Sequence, residues 1–180
     1  MSRHRSATGD HIEIRREQWR KELPDVDTTG MAILGRARIA TLLARRPIER
    51  VFSQHGLDTG EFDVLATLLR TGSPYRLRPT ELYSSLMISS GGLTDRLGRL
   101  EKFGLVRRLR NEQDARSLLV ELTTEGRRVA EAAFRQDMQV ELALLSGLSK
   151  AERKQLSHLL ARLVSTILET SGEDAPDGVA

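Results

Sequence analysis

Between Asp95 and Arg116 the chain places seven basic side chains (Arg96, Arg99, Lys102, Arg107, Arg108, Arg110 and Arg116) among four acids (Asp95, Glu101, Glu112 and Asp114). Guanidinium groups at that density suit planar, bidentate partners such as phosphate, guanine or carboxylate. An arginine carried on an extended tip fits a narrow, electronegative groove. An acid two residues before it, as Asp114 precedes Arg116, fixes its direction through a charge-assisted hydrogen bond. A loop that had only to be soluble would not need four arginines.

The elements around these residues give them a purpose. Ser89 is placed to cap a helix that starts at Ser90, and Leu93, Leu97 and Leu100 recur on one helical face. Gly104 stands where a left-handed C-terminal cap belongs. Then come two β-prone runs, Leu105 to Leu109 and Ser117 to Leu122, joined by seven mostly polar residues, which read as a hairpin. Opposite the leucines lie Gly91, Asp95, Gly98, Arg99 and Lys102, with Thr94 on one flank. Small residues at Ser89, Ser90 and Gly91 let the helix N-terminus approach a phosphate closely. Arg99 or Thr94 reads base edges, while Arg96, beside Leu100 and Phe103, is expected to be half-buried. Helix plus hairpin makes a winged helix-turn-helix, mainly α with a small β wing, directed at double-stranded DNA. The expected DNA contacts are Ser89, Ser90, Gly91, Thr94, Asp95, Arg99, Lys102, Arg110, Asp114 and Arg116.

Composition removes other function classes. The formal net charge is only +3, so nucleic-acid binding must rest on local clustering. With no cysteine there is no disulfide, thiolate nucleophile or cysteine metal site. No apolar run reaches the ~20 residues of a membrane span, and the start MSRHRSATGD lacks a signal-peptide core. A cytoplasmic location follows as an expectation. His4, His11, His55 and His158 are scattered without metal-ligand or triad spacing, so neither an enzyme, a metal nor a cofactor is expected.

The chain divides as follows. Residues 1–9 are small, polar and basic and read as disordered. Residues 10–58 hold an added helix and a long dimerisation helix. The added helix is opened by an Asp10/Glu13 capping box, carries Ile12, Trp19 and Leu23, and ends at Pro24. The long one runs from Met31 to His55, and Pro47 within it predicts a kink or break near Leu43 to Arg46. Residues 59–123 form the DNA-binding domain, in which Thr59 caps Glu61 to Arg70 and Tyr75 to Leu77 add a third strand. Residues 124–171 form two C-terminal helices. The first, capped by Thr123, carries Val129, Ala133, Phe134, Met138, Leu142 and Leu145. The second, opened by Ser149 and Glu152, has too wide an apolar face for one chain to cover. A homodimer built from the N- and C-terminal helices would cover it, and residues 172–180 read as a disordered tail.

LEKFGLVRRLRNEQDARSLLVELTTEG resembles the wing of the MarR family of bacterial transcription regulators, with Asp114, Arg116, Leu122 and Thr123 at the signature positions. The resemblance runs from about Ile12 to Ile167. It implies a DNA-binding regulator, in the commoner case a repressor, acting as a homodimer on a pseudo-palindromic site. The missing cysteines exclude thiol-based peroxide sensing within that family. The added helix, the stretch LPDVDTTGMAILGR and GEFDVLATLLR followed by RPTEL resemble its urate-responsive branch. That resemblance implies an effector site of Trp19, Asp63, Arg70 and Arg96 for a small anionic aromatic ligand, urate or a related purine. Asp63, Thr67 and Arg70 share one stripe of their helix, which is either solvent-facing or lines a pocket. The alternative effector is another phenolic or aromatic acid.

Overall fold

A computed structural model of the protein describes residues 11–86, 92–111 and 114–171, without the side chains of 111, 114–117 and 171. The expectations for Ser89, Ser90 and Gly91, for the Asp10 cap, for the side chains of Asp114 and Arg116 and for both termini fall outside it. The chain divides after Pro47 into two compact units. In the first, α1 (His11–Glu22) precedes α2 (Thr29–Gln54), which continues into the second unit. Ile12 of α1 is buried, and its Cδ1 lies 2.9 Å from where a Cβ on Gly35 of α2 would stand. A short, highly charged helix thus gains its stability from packing rather than propensity. Trp19 and Leu23, expected on the same stripe as Ile12, are about half exposed. The assigned helix α2 is not interrupted at Pro47. Of the two expected outcomes, a kink or a break, the break does not occur: proline removes one donor, and the helix runs on past it.

The second unit holds the core. After α2 come α3 (Thr59–Arg70), β1 (Arg76–Leu77), α4 (Pro79–Ser84), α5 (Leu93–Lys102), β2 (Val106–Asn111), β3 (Asp114–Leu122), α6 (Thr124–Leu144) and α7 (Lys150–Ser171). The cap of α3 is Asp58, not Thr59. Asp58 Oδ1 accepts from Glu61 N at 2.7 Å, and Glu61 Oε2 accepts from Asp58 N at 2.8 Å. Asp58 stands at the cap because its extended backbone leaves the carboxylate facing the third helical N–H. From that cap α3 runs through the middle of the unit, with Phe62, Val64, Leu65 and Leu68 all buried and Phe62 stacked on Phe52 of α2 at 4.0 Å. It packs on α4, α5, α6 and β3.

The three strands form one antiparallel sheet in the order β1-β3-β2. Arg76 and Arg107 both pair with Glu121, and the β2–β3 register slips between Arg110 and Asn111. The strands are longer than their apolar runs predict, leaving only residues 112–113 between them. Cross-strand hydrogen bonding carries polar residues along once the ladder is established. Thr123 accepts from Gly126 N at 2.9 Å and opens α6 as expected. The buried face of α6, however, is Gly126, Ala130, Ala133 and Asp137, while Phe134, Met138, Leu142 and Leu145 are exposed. Small residues are selected on that face by close approach: a Cβ on Gly126 would lie 1.8 Å from the Leu105 carbonyl oxygen. Ser149 and Glu152 exchange hydrogen bonds at the start of α7. Among the described residues no helix is long and apolar enough to cross a membrane, and no cluster of potential metal ligands is found.

Candidate nucleic-acid interface and effector site

Helix α5 is divided as its wheel demands. Leu93, Leu97 and Leu100 are buried in the core, each such side chain contributing about 1.5–3 kcal/mol. Thr94, Asp95, Gly98 and Lys102 lie exposed on the other side. Gly104, at φ 69°, ends the helix and turns the chain into β2. Helix α4 starts at Pro79, with Glu81 accepting from Arg78 N at 2.7 Å. Thus α4 and α5 both pack on α3, α5 also on β2 and α4 also on β3.

The wing arginines do not behave alike. Glu121, itself 7% exposed, holds Arg107 at 2.6 Å and Arg76 at 3.1 Å, one on each neighbouring strand. Arg108 lies 3.5 Å from Glu101. Those two arginines of β2 therefore serve the base of the sheet. Arg110, nearer the tip, is exposed and has no ion pair among the described residues.

Arg99, expected to read bases, is tied in this structure to the start of α3. Its Nε donates to Glu61 Oε1 at 2.7 Å and its Nη2 to Asp58 Oδ2 at 2.9 Å. The hydrogen bond it donates to Glu61 heads the causes that hold its pKa above the ordinary value. The wheel could not reveal this, because both acids come from a helix far back in the chain.

Of the four expected effector residues, Asp63 and Arg96 come together. Arg96 is half-buried, as expected, and its guanidinium lies over the backbone of Gly60 in the first turn of α3. Its Nη1 is buried without a hydrogen-bond partner. Burial pushes the Asp63 carboxyl above its ordinary pKa; the positive charge of Arg96 works against that, and Asp58 adds to it. The Asp63–Arg96 coupling is electrostatic, since no ion pair within 4 Å joins them among the described residues. Thr67 is buried and Asp63 half-buried, so that part of the stripe is not a solvent face. Arg70 stands apart, about 10 Å along the axis from Asp63, exposed and donating to the Ser85 carbonyl at 3.0 Å. Trp19 belongs to the N-terminal unit.

Sequence reasoning missed Asp137. It is 4% exposed with Oδ1 unpartnered, and its pKa is pushed up to about 6, by burial first, then by Glu141 and Asp63. The available signal was its place four residues after Ala133 on a face of small residues. A separate open groove of about 550 Å³ is lined by Leu69, Glu131, Phe134, Arg135, Met138 and Gln139. None of the four expected effector residues lines it.

This arrangement has relatives. The sequence pattern of the MarR family matches residues 57–118. The chain is 40% identical over 147 residues to the HTH-type transcriptional regulator PecS of Dickeya dadantii, covering 82% of this chain and 89% of that one. It is 32% identical over 120 residues to the HTH-type transcriptional repressor YetL of Bacillus subtilis, covering 64% and 71%. Among solved structures it is similar to Sco3205 of Streptomyces coelicolor in complex with DNA, with TM-score 0.68 and 27% identity over 85% of this chain and 96% of that one. A mutant of E. coli MarR complexed with operator DNA gives TM-score 0.63 and 26% identity, over 81% and 96%. With a helix pair, an arginine-bearing wing and a relative this similar along nearly its whole length, the chain belongs to the MarR family of DNA-binding transcriptional regulators, not to a family of enzymes.

Proposed function

We propose that the protein is a homodimeric repressor that lays α5 in the major groove of a pseudo-palindromic operator and its wing in the adjacent minor groove. The observation that carries the reading is the two-sided character of α5: three buried leucines anchor it, and Thr94, Asp95, Gly98 and Lys102 are presented outward. Gly98 keeps that surface low, and Lys102 with the exposed Arg110 supplies charge for phosphate and minor-groove contacts. Dimerisation is supported by exposed apolar residues on α7 (Leu156, Leu159, Leu160, Val164) and on the end of α6 (Leu142, Leu144, Leu145). Two copies related by a two-fold axis reach successive major grooves roughly 34 Å apart.

We further propose that a small anionic aromatic effector such as urate releases the DNA. Asp63 and Arg96 support this, because they link the interior of α3 to the recognition helix by charge. An anion beside Asp63 raises the cost of its negative charge and draws Arg96 away, shifting Thr94 and its neighbours from their register in the groove. The ligand acts only through its different affinity for the two states, typically about 1–3 kcal/mol of coupling. In this scheme Trp19 stacks on the ligand and Arg70 pairs with it. Urate is expected to raise the melting temperature and to release operator DNA. Trp19→Ala and Arg70→Ala proteins are expected to bind DNA normally and to ignore urate. If either variant still releases its operator with urate, the four-residue site is wrong. The groove favours a second reading, since Arg135 among Leu69, Phe134 and Met138 suits a phenolic or aromatic acid. Protection by such an acid that Arg135→Ala abolishes would select it.

A further inference from the structure

Two arginines of α5 turn away from its outer face and meet the first turn of α3. Arg96 lies over Gly60, and Arg99 forks onto Asp58 and Glu61. The second contact closes a network of four hydrogen bonds among three residues. Asp58 and Glu61 cap α3 reciprocally, and each has one carboxylate oxygen left for Arg99. Glu61 is 5% exposed. A carboxylate that deep needs a charged donor on its second oxygen, and among the described residues Arg99 is the one that supplies it. Were Arg99 to swing out to a base, Glu61 would keep a buried charge with one oxygen unmet, which is strongly unfavourable. Both contacts use the same guanidinium edge, so they fix the direction of the side chain as well as its distance.

Resting on the DNA-binding reading, we propose that Arg99 is a positioning residue rather than a reader of bases: through Glu61 and Asp58 it sets the roll of the recognition helix on α3. The leucine face holds α5 to the core, but apolar attraction is non-directional and by itself does little to specify rolling about the helix axis. A forked ion pair at one flank resists it strongly. Base contacts depend on that roll, since Thr94 and its neighbours must meet particular base edges. Attraction to phosphates does not, because it comes from charges spread over α5 and the wing.

The test measures binding of the full-length protein to its own upstream DNA and to an unrelated duplex by fluorescence anisotropy across a salt series. Arg99→Gln and Glu61→Gln are each expected to weaken operator binding about tenfold. The double variant is expected to be no worse than either single one, because both break the same contact. Affinity for the unrelated duplex and its salt slope stay at the wild-type values, and Arg99→Lys, which can still reach one carboxylate, recovers part of the loss. Asp58→Asn keeps a capping oxygen and removes only the Nη2 ion pair; it gives a smaller loss of the same kind. That variant keeps the test open if Glu61→Gln does not fold.

Three results would overturn the proposal. In one, Arg99→Gln weakens binding to both duplexes and lowers the salt slope by about one while Glu61→Gln and Asp58→Asn bind as wild type, which makes Arg99 a phosphate contact. In another, Arg99→Gln relaxes the preference at one base pair alone, which makes it a reader. In the third, all variants bind the operator as wild type does. A wild-type protein that binds neither duplex would instead remove the DNA-binding reading on which the proposal rests.

Discussion

On a wheel drawn from the sequence Arg99 lies with Lys102 on the face away from Leu93, Leu97 and Leu100, yet its guanidinium is tied to Glu61, 38 residues back. Periodicity reports which residues share a face and cannot report what another helix brings to that face. The same blindness hid Asp137. A carboxyl on the buried side of α6 is an exception that no pattern of apolar spacing flags, and the stripe through Phe134 and Met138 was the stronger periodic signal. Asp137 has a measurable consequence. Its pKa is raised in the folded protein, from an ordinary 3.8 to about 6, so the fold prefers the neutral acid. Well below pH 3.8 the group is protonated in folded and unfolded chains alike and costs nothing. As pH rises toward 6 the unfolded chain ionises more readily, and stability is lost; above 6 the full penalty remains. Asp137→Asn should therefore be more stable than wild type at pH 7.5, by up to about 3 kcal/mol. The two should converge near pH 3. Chemical denaturation at the two pH values checks this, and an advantage that is equal at both would contradict it.

The elements were more legible than the residues. The glycine stop at Gly104, the Thr123 cap and the Ser149/Glu152 box are local chemistry, and each stands where its neighbours put it. The three-stranded wing was also readable, because a β-prone Tyr75–Leu77 run needs a partner. Less was legible where a local rule met a longer-range one. Pro47 signals a kink or a break, but α2 continues past it, because a long helix packed through Val51 and Phe52 tolerates one missing donor. The side of α6 that meets the sheet was not legible in its apolar stripe, because size, not apolarity alone, decides which residues meet it. Gly126 sits at the tightest point of that approach, with room for no Cβ against the Leu105 carbonyl. Gly126→Ala must displace backbone, not a flexible side chain. We expect a loss of about 1–3 kcal/mol. In a chain of this size that lowers the melting temperature by about 2–4 °C for each kcal/mol. A variant melting at the wild-type temperature would mean that α6 is not seated as described.

At the scale of the whole molecule, the sequence offered a clustered basic surface on a nearly neutral chain, and the structure sorts that cluster by task. Arg76 and Arg107 brace the sheet through Glu121, Arg96 and Arg99 face α3, and Lys102 and Arg110 are left outward. Charge counting alone could not separate these groups. The sorting implies that DNA attraction rests on few side chains per copy and is multiplied by pairing two copies. Those copies are expected to join through the apolar surfaces of α6 and α7. The measurement that tests this account most directly is the salt dependence of operator affinity for the wild type and for a Lys102→Ala/Arg110→Ala variant. With about six or more phosphates neutralised per dimer, wild-type affinity should fall by about a thousandfold or more between roughly 50 and 200 mM salt. The variant should start weaker and fall less steeply, by about four counterions if both side chains of both copies contact phosphate. A wild-type affinity that hardly changes with salt, or a variant whose slope matches it, would contradict the claim that these outward groups hold the DNA.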